Sequence, residues 1–223
     1  MKHITVAVDG PAGSGKSTVA RDVASRFGLL YLDSGALYRA ITWYVYVNWD
    51  ILEKAPEVET ILPEIELRQV YGDDNSCRTY VNGRDVSGEI RNEEITRRIG
   101  EVSDSRPVRD FVNSQLRSWS GEESIIMDGR DIGTVVFPDA DLKVYLDASV
   151  EERTRRRLNE YREKGKNLDE NLIRNQIIRR DEQDRSRPYG ALKKADDAIY
   201  IDSSHLSREE VIDRISTYIH RFR

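Results

Sequence analysis

The chain has one cysteine, Cys77, and only three histidines in 223 residues. A single cysteine excludes an internal disulfide framework, and Cys and His side chains so few and scattered offer no zinc site. Cys77 itself reads as a buried or half-buried hydrophobe. No apolar run approaches the roughly 20 residues that cross a bilayer, and the N-terminal residues lack a signal-peptide core. With a strand expected almost from Met1, no leader is expected, and the protein is expected in the cytoplasm. A surplus of basic charge is also missing. Lys and Arg number 35 against 40 acidic residues, for a net charge of −5, and the isoelectric point is near 5.4. That balance argues against general binding to nucleic acid or to a membrane surface. Internal repeats and low-complexity tracts are absent too.

What remains is a polar but globular composition, 34% charged and 38% hydrophobic, with a mean hydropathy of −0.64. Its length suits one domain, 1–223, with an insertion. The most informative stretch is Gly10-Pro11-Ala12-Gly13-Ser14-Gly15-Lys16-Ser17, which fits G-x-x-x-x-G-K-[ST]. Ile4, Val6 and Val8 before it read as a buried strand, and Val19, Ala20, Val23, Ala24 and Phe27 after it recur at helical spacing. A strand, a glycine turn and a helix N-terminus together make a phosphate cradle, because backbone N–H groups and the helix dipole both favour an anion. In such a loop Lys16 reaches the outer phosphates and Ser17 holds Mg²⁺. The motif predicts a bound nucleoside triphosphate and leaves its fate open.

Five apolar runs predict core strands: Thr5–Val8, Leu29–Leu32, Ser124–Met127, Leu142–Leu146 and Ile199–Ile201. Helical patterns between most of them predict an α/β fold with a parallel sheet flanked by helices. Asp33-Ser34 precedes a helical run as an N-cap candidate, and Ser207 with Glu210 predicts a capping box for the last helix. Pro138-Asp139-Ala140-Asp141 reads as a turn. The segment from Ile65 to Val86 breaks this rhythm, with strand-like Glu66–Val70 and Thr79–Val81 and turn residues at Gly72-Asp73-Asp74-Asn75 and Asn82-Gly83. It predicts a small antiparallel insert over about 62–87. Helices are expected again near Asn92–Glu101 and Pro107–Trp119.

Glu151 to Arg187 holds ten arginines and two lysines against nine acids, so basic charge concentrates there while the rest of the chain is acidic. Such a run suits an exposed helix pair laced with ion pairs; beside a phosphate loop it also suits arginines that close over phosphates. A GTPase switch needs a guanine-reading Asn-Lys-x-Asp, and none occurs. A nucleic-acid motor needs a second motif set or a basic surface. A small kinase needs arginines for an acceptor phosphate, because phosphoryl transfer rests on in-line positioning and charge stabilisation.

Three further segments carry a resemblance: Asp33-Ser34-Gly35-Ala36-Leu37-Tyr38-Arg39, Asp85-Val86-Ser87-Gly88-Glu89-Ile90-Arg91, and the run from Asp128-Gly129-Arg130-Asp131-Ile132-Gly133 to Ala140. With the glycine loop they resemble the bacterial cytidylate (CMP/dCMP) kinases from end to end. The resemblance implies a P-loop fold of the nucleoside monophosphate kinases: a five-stranded parallel core, a monophosphate-binding region over about 34–103 that contains the β insert, and a lid over about 151–170. It implies transfer of the γ-phosphoryl of ATP to CMP or dCMP, with Mg²⁺, by a monomer.

The resemblance also implies roles. Gly10, Pro11, Ala12, Gly13, Ser14, Gly15, Lys16, Ser17 and Thr18 would bind ATP, and Ser17 would ligate the metal. Arg39 and Arg130 would grip the acceptor phosphate, since guanidinium forks bind phosphate oxygens bidentately and stay charged. Ser34, Arg109, Asp131 and Arg187 would read the cytosine, and Tyr38 would also line the substrate site. Asp131 is able to accept from the exocyclic amino group that uracil lacks. Arg180 and Asp184 would contact the ribose. Arg180, Asp184 and Arg187 stand at i, i+4 and i+7 on one helix face, a spacing that equally suits a surface ion-pair ladder. Arg153, Arg156 and Arg157 cluster likewise, with Arg157 the match to a phosphate-clamping lid arginine alongside Lys16, Arg39 and Arg130. Many relatives place a base-contacting serine nine positions before Arg109, where this chain has Gly100, with Ser103 one turn on. Asp128 has two open readings, organising Mg²⁺ through water or capping the turn that presents Arg130. No general base is expected, since the attacking group is already a phosphate oxygen anion at neutral pH.

Overall fold

A computed structural model describes residues 3–49, 58–72, 77–121, 123–163 and 165–222. Along the chain these form β1 (Thr5–Asp9), α1 (Lys16–Phe27), β2 (Leu30–Asp33), α2 (Ser34–Trp49), α3 (Val58–Ile61), β3 (Leu67–Tyr71), β4 (Cys77–Val81) and β5 (Arg84–Asp85). Next come α4 (Glu93–Ser103), α5 (Arg106–Ser120), β6 (Ile125–Gly129), β7 (Leu142–Asp147), α6 (Val150–Glu163), α7 (Glu170–Ser186), β8 (Ile199–Asp202) and α8 (Arg208–Ile219). The expected core strands all form, with ends shifted by a residue or two. They build a parallel sheet of order β2-β6-β1-β7-β8. The chain divides into two compact units, 1–29 with 124–223, and 30–123.

In the first unit, β1 lies between β6 and β7, with Val8 opposite Asp128 and Val144. Val6, Ala7, Val8, Ile125, Ile126, Met127 and Leu146 are fully buried, as a two-sided parallel strand requires. This apolar slab fixes where the strand ends point. α8 starts at the expected capping box: Ser207 Oγ accepts from the Glu210 N–H while Glu210 Oε2 accepts from the Ser207 N–H at 2.7 Å. Beyond β6 the chain makes one π-helical turn, Ile132–Val136, which no sequence signal announced. Phe137 and Ala140 then close the expected turn, the Ala140 N–H donating to the Phe137 carbonyl at 3.0 Å.

The second unit contains the insert as a three-stranded antiparallel sheet, β3-β4-β5. Asn82 and Gly83, both with φ in the left-handed region (49° and 79°), join β4 to β5, the geometry for which Asn-Gly is selected in two-residue hairpins. The other expected turn, around Gly72-Asp73-Asp74-Asn75, lies largely outside the described residues. Cys77 is half-buried on β4. Asp33 caps α2 as its position predicts, accepting from the Ala36 N–H at 2.9 Å, and α2 packs on α4 and α5.

Candidate active site

The glycine loop leaves the buried end of β1 and enters α1 at Lys16. A Cβ on Gly10 would collide with the Leu146 carbonyl oxygen, and Gly15 holds a φ of 92° at the helix start. Only glycine suits both requirements. Two arginines of α6 grip the loop from behind: Arg153 donates to the Ala12 carbonyl at 3.1 Å and Arg156 to the Ser14 carbonyl at 3.2 Å. These bonds occupy the Ala12 and Ser14 carbonyls. Lys16 is 5% exposed and folds onto the loop, donating to the Pro11 carbonyl at 2.7 Å. Burial, reinforced by the nearby Arg130, pushes its ammonium pKa down to about 7 against the pull of Asp128 and Asp184. Ser17 and Thr18 are half-buried in the first turn of α1. Ser17 Oγ donates to Asp128 Oδ2 at 2.7 Å, so Asp128 faces the loop's hydroxyl.

Arg130 and Asp131 follow directly from β6. Arg130 Nε donates to Asp184 Oδ2 at 2.7 Å, and Arg187 and Arg180 reach Asp184 Oδ1 at 2.8 and 3.3 Å. Arg180 and Asp184 share a face of α7, while Arg187 lies one residue past the helix end in a non-helical conformation; the three nonetheless meet at Asp184 with Arg130 and form no mere surface ladder. Asp184 is fully buried. Although burial opposes ionisation, Arg130, Arg180 and Arg187 outweigh it and hold the carboxyl down at about 2. Three guanidinium groups on one carboxylate leave positive charge in excess, which suits a second anion. Asp131 is 3% exposed; its carbonyl accepts from the Val135 and Val136 N–H groups, closing the π turn.

The structure corrects the grouping of α6 arginines. Arg153 is 2% exposed and ion-paired to Asp181 at 2.7 Å, so it ties α6 to α7 and to the glycine loop. Arg157 is the more exposed one, pairing with Glu160 at 2.7 Å and lying over the Tyr161 ring.

In the second unit, α2 carries Ser34, Tyr38 and Arg39, with Ser34 and Tyr38 buried one turn apart. Arg39 donates to Thr96 Oγ1 at 2.7 Å. Arg109, 1% exposed on α5, lies 5.2 Å from the Tyr38 ring centroid and donates to the Ser103 carbonyl at 3.0 Å. Ser103 therefore supports Arg109 through its main chain. Around Gly100 nothing approaches within 4 Å of where a Cβ would sit, so the side chain missing there leaves open space.

The sequence reading missed Asp9, Asp181 and Thr96, and it gave Arg153 and Arg156 only as members of the α6 arginine cluster. Asp9 had a signal: a carboxylate directly after the apolar run Val6-Ala7-Val8. Its oxygens accept from the Ile132 and Gly133 N–H groups at 2.8 and 2.7 Å. Burial nevertheless pushes its pKa up to about 7, with Asp131 adding to the rise.

The family model for cytidylate kinase matches residues 6–221. The chain belongs to the cytidylate kinase family. This family member is accordingly a nucleotide-binding kinase that transfers a phosphoryl group from ATP. A cytidylate kinase of Oceanobacillus iheyensis is 43% identical over 223 residues, covering 99% of this chain and 96% of that protein. One from Fusobacterium nucleatum subsp. nucleatum is 42% identical over 221 residues, covering 99% of each. Among solved structures, an uncharacterized protein from Eubacterium ventriosum shares the fold, with a TM-score of 0.54 at 14% identity and coverage of 98% of this chain and 99% of that one.

The oxygen donors Ser17 and Asp128 fit a hard divalent cation, and Mg²⁺ is commonly held by one or two protein oxygens with substrate phosphates and water. Among the described residues no cluster of three or more His, Cys, Asp or Glu could hold a metal alone, and none of the helices is long and apolar enough to cross a membrane.

Proposed function

We propose that the protein transfers the γ-phosphoryl of ATP to CMP or dCMP, giving ADP and CDP or dCDP. The observation that carries this reading is the cluster of Arg130, Arg180 and Arg187 on buried Asp184, in the same unit as the phosphate loop. One unit thus offers a cradle for the donor and a cationic cluster for a second phosphate.

In this reading Gly10, Pro11, Ala12, Gly13, Ser14, Gly15, Lys16, Ser17 and Thr18 hold the ATP phosphates, through the loop's backbone N–H groups (Pro11 has none) and the Lys16 ammonium. The depressed pKa of Lys16 reflects a cation with little solvent around it, where an arriving phosphate is a strong partner. Ser17, with Asp128 behind it, would hold Mg²⁺, which when bound neutralises charge on the phosphates. Arg39 and Arg130 bind the acceptor phosphate, which attacks as an anion and needs no general base. Asp131, with Ser34, Arg109 and Arg187, selects the cytosine, Tyr38 lines the substrate site, and Arg180 and Asp184 contact the ribose. The segment 151–170 acts as a lid that brings Arg157 to the transferring group and expels water. The same reading makes the enzyme a cytoplasmic monomer, without nucleic-acid or membrane partners.

A coupled ADP-release assay with CMP, dCMP, UMP, AMP and GMP tests it. CMP or dCMP is expected to stimulate ADP release far above the others. Stimulation by none of the five would favour a nucleotide switch, and preference for a purine would refute the base assignment.

A further inference from the structure

Asp9 ends a strand in which Val6, Ala7 and Val8 before it are fully buried and apolar, and it is 4% exposed. A buried carboxylate is costly unless hydrogen bonds replace its water. Here both oxygens are used: Oδ1 accepts from the Ile132 N–H at 2.8 Å and Oδ2 from the Gly133 N–H at 2.7 Å. These are the first two residues of the π turn, whose N–H groups lack partners within so short a helix. The approach at Gly133 is tight. A Cβ there would sit 3.1 and 3.2 Å from Lys143 Cδ and Cγ, and 3.4 Å from Asp9 Oδ2. Lys143 has little room to yield, since its ammonium donates to the Pro138 carbonyl at 2.5 Å and pairs with Asp197 at 2.8 Å.

The covalent neighbours give this contact its consequence. Asp9 is followed directly by Gly10, where the phosphate loop begins, and Ile132 is preceded directly by Arg130 and Asp131. β1 and β6 already pair in register, with Asp9 opposite Gly129. Beyond Gly129 the ladder stops, and the Asp9 carboxylate takes over as the next attachment of the returning chain. We propose that Asp9 is a positioning residue for the acceptor: its carboxylate sets Arg130 and Asp131 at a fixed distance from the phosphate loop, so selection of the acceptor base depends on it. The inference rests on the proposed roles of Arg130 and Asp131.

Two variants test it by different physics. Asp9→Asn keeps the shape but turns an N–H donor toward one of the two N–H groups. Gly133→Ala keeps every charge and crowds the start of the π turn against Lys143 and Asp9. KM and kcat for CMP, UMP and ATP, the Kd of CMP by calorimetry, and Tm would be measured on the full chain. In both variants the KM and Kd for CMP should rise at least about tenfold, the loss of roughly one hydrogen bond to a charged group. The CMP-to-UMP preference should fall by a similar factor, while the ATP KM stays within about twofold. A lowered Tm with unchanged CMP affinity and preference would reduce Asp9 to a structural role and overturn the proposal. So would equal losses toward CMP and ATP. If Asp9→Asn does not fold, Gly133→Ala decides by the same criteria. A wild-type protein inactive on CMP would instead defeat the functional reading itself, which keeps the two failures apart.

Discussion

Arg130 donates to Asp184 at 2.7 Å across 54 positions of sequence, and the carboxylate that receives it has no exposed surface. Arg180 and Arg187 share that carboxylate. Burial alone would favour the protonated acid; the three cations reverse the outcome. Asp184 is thus the anchor of the second cationic site.

Replacing Asp184 by Asn would leave three largely buried guanidinium groups without their counter-charge, a loss of about 3 kcal/mol or more. Chemical denaturation should show it. The pH dependence has a definite sign. The folded-state pKa is near 2 against an ordinary 3.8, so the ionised carboxylate contributes stability above about pH 4 that disappears as pH falls toward 2. The contribution is of order 2 kcal/mol. Acid unfolding of the Asn variant should lack that part of the slope; identical acid curves would contradict the cluster's energetics.

Arg130→Ala should collapse kcat/KM on every monophosphate, by about a hundredfold or more as for loss of one preorganised charge donor. Arg130→Lys should recover little, because an ammonium cannot serve Asp184 and a phosphate with a planar fork. Near-normal kcat/KM in the Ala variant would exclude the phosphate role.

Asp131→Ala should raise the KM for CMP by roughly a hundredfold through loss of a buried hydrogen bond to the base, with the ATP KM little changed. Asp131→Asn would offer a donor suited to the uracil carbonyl, so UMP use should rise relative to CMP. Equal loss toward CMP and ATP would remove Asp131 from base recognition.

Chelation of Mg²⁺ by EDTA should stop transfer. Ser17→Ala, which removes the 2.7 Å hydrogen bond to Asp128 together with the proposed metal ligand, should raise the Mg²⁺ concentration for half-maximal activity. Its Tm should move only modestly, since one such bond is worth about 1 kcal/mol. An unchanged Mg²⁺ titration would separate Ser17 from the metal.

Ser207→Ala should cost about 1 kcal/mol by breaking the capping box of α8 and leave kinetics intact. A kinetic effect would mean that α8 reaches the chemistry.

Much of this fold was legible because its signals are local. The glycine loop, the Asp33 cap, the Ser207–Glu210 box and the Asn82-Gly83 turn each depend on residues within a few positions of one another, where backbone geometry restricts the residue types allowed. The alternation of apolar runs with helical periods was enough for a parallel sheet. The resemblance singled out Arg130, Asp131, Arg180, Asp184 and Arg187 as residue types at recognisable places.

What pairs with what was decided by tertiary structure. Periodicity on α7 could not tell an exposed ladder from a buried clamp, because the deciding partner, Arg130, arrives from another strand. Arg153 has the spacing of its neighbours on α6, and only the fold shows that it is buried against Asp181. The π turn at Ile132–Val136 left no periodic trace, since its start is held by Asp9, 123 residues away from Ile132. By itself the sequence determined the strands, helices, caps and phosphate loop, all set by short-range sterics and hydrogen bonding. Only the folded chain decided which charges are buried together, because that depends on where an apolar sheet carries the ends of distant strands.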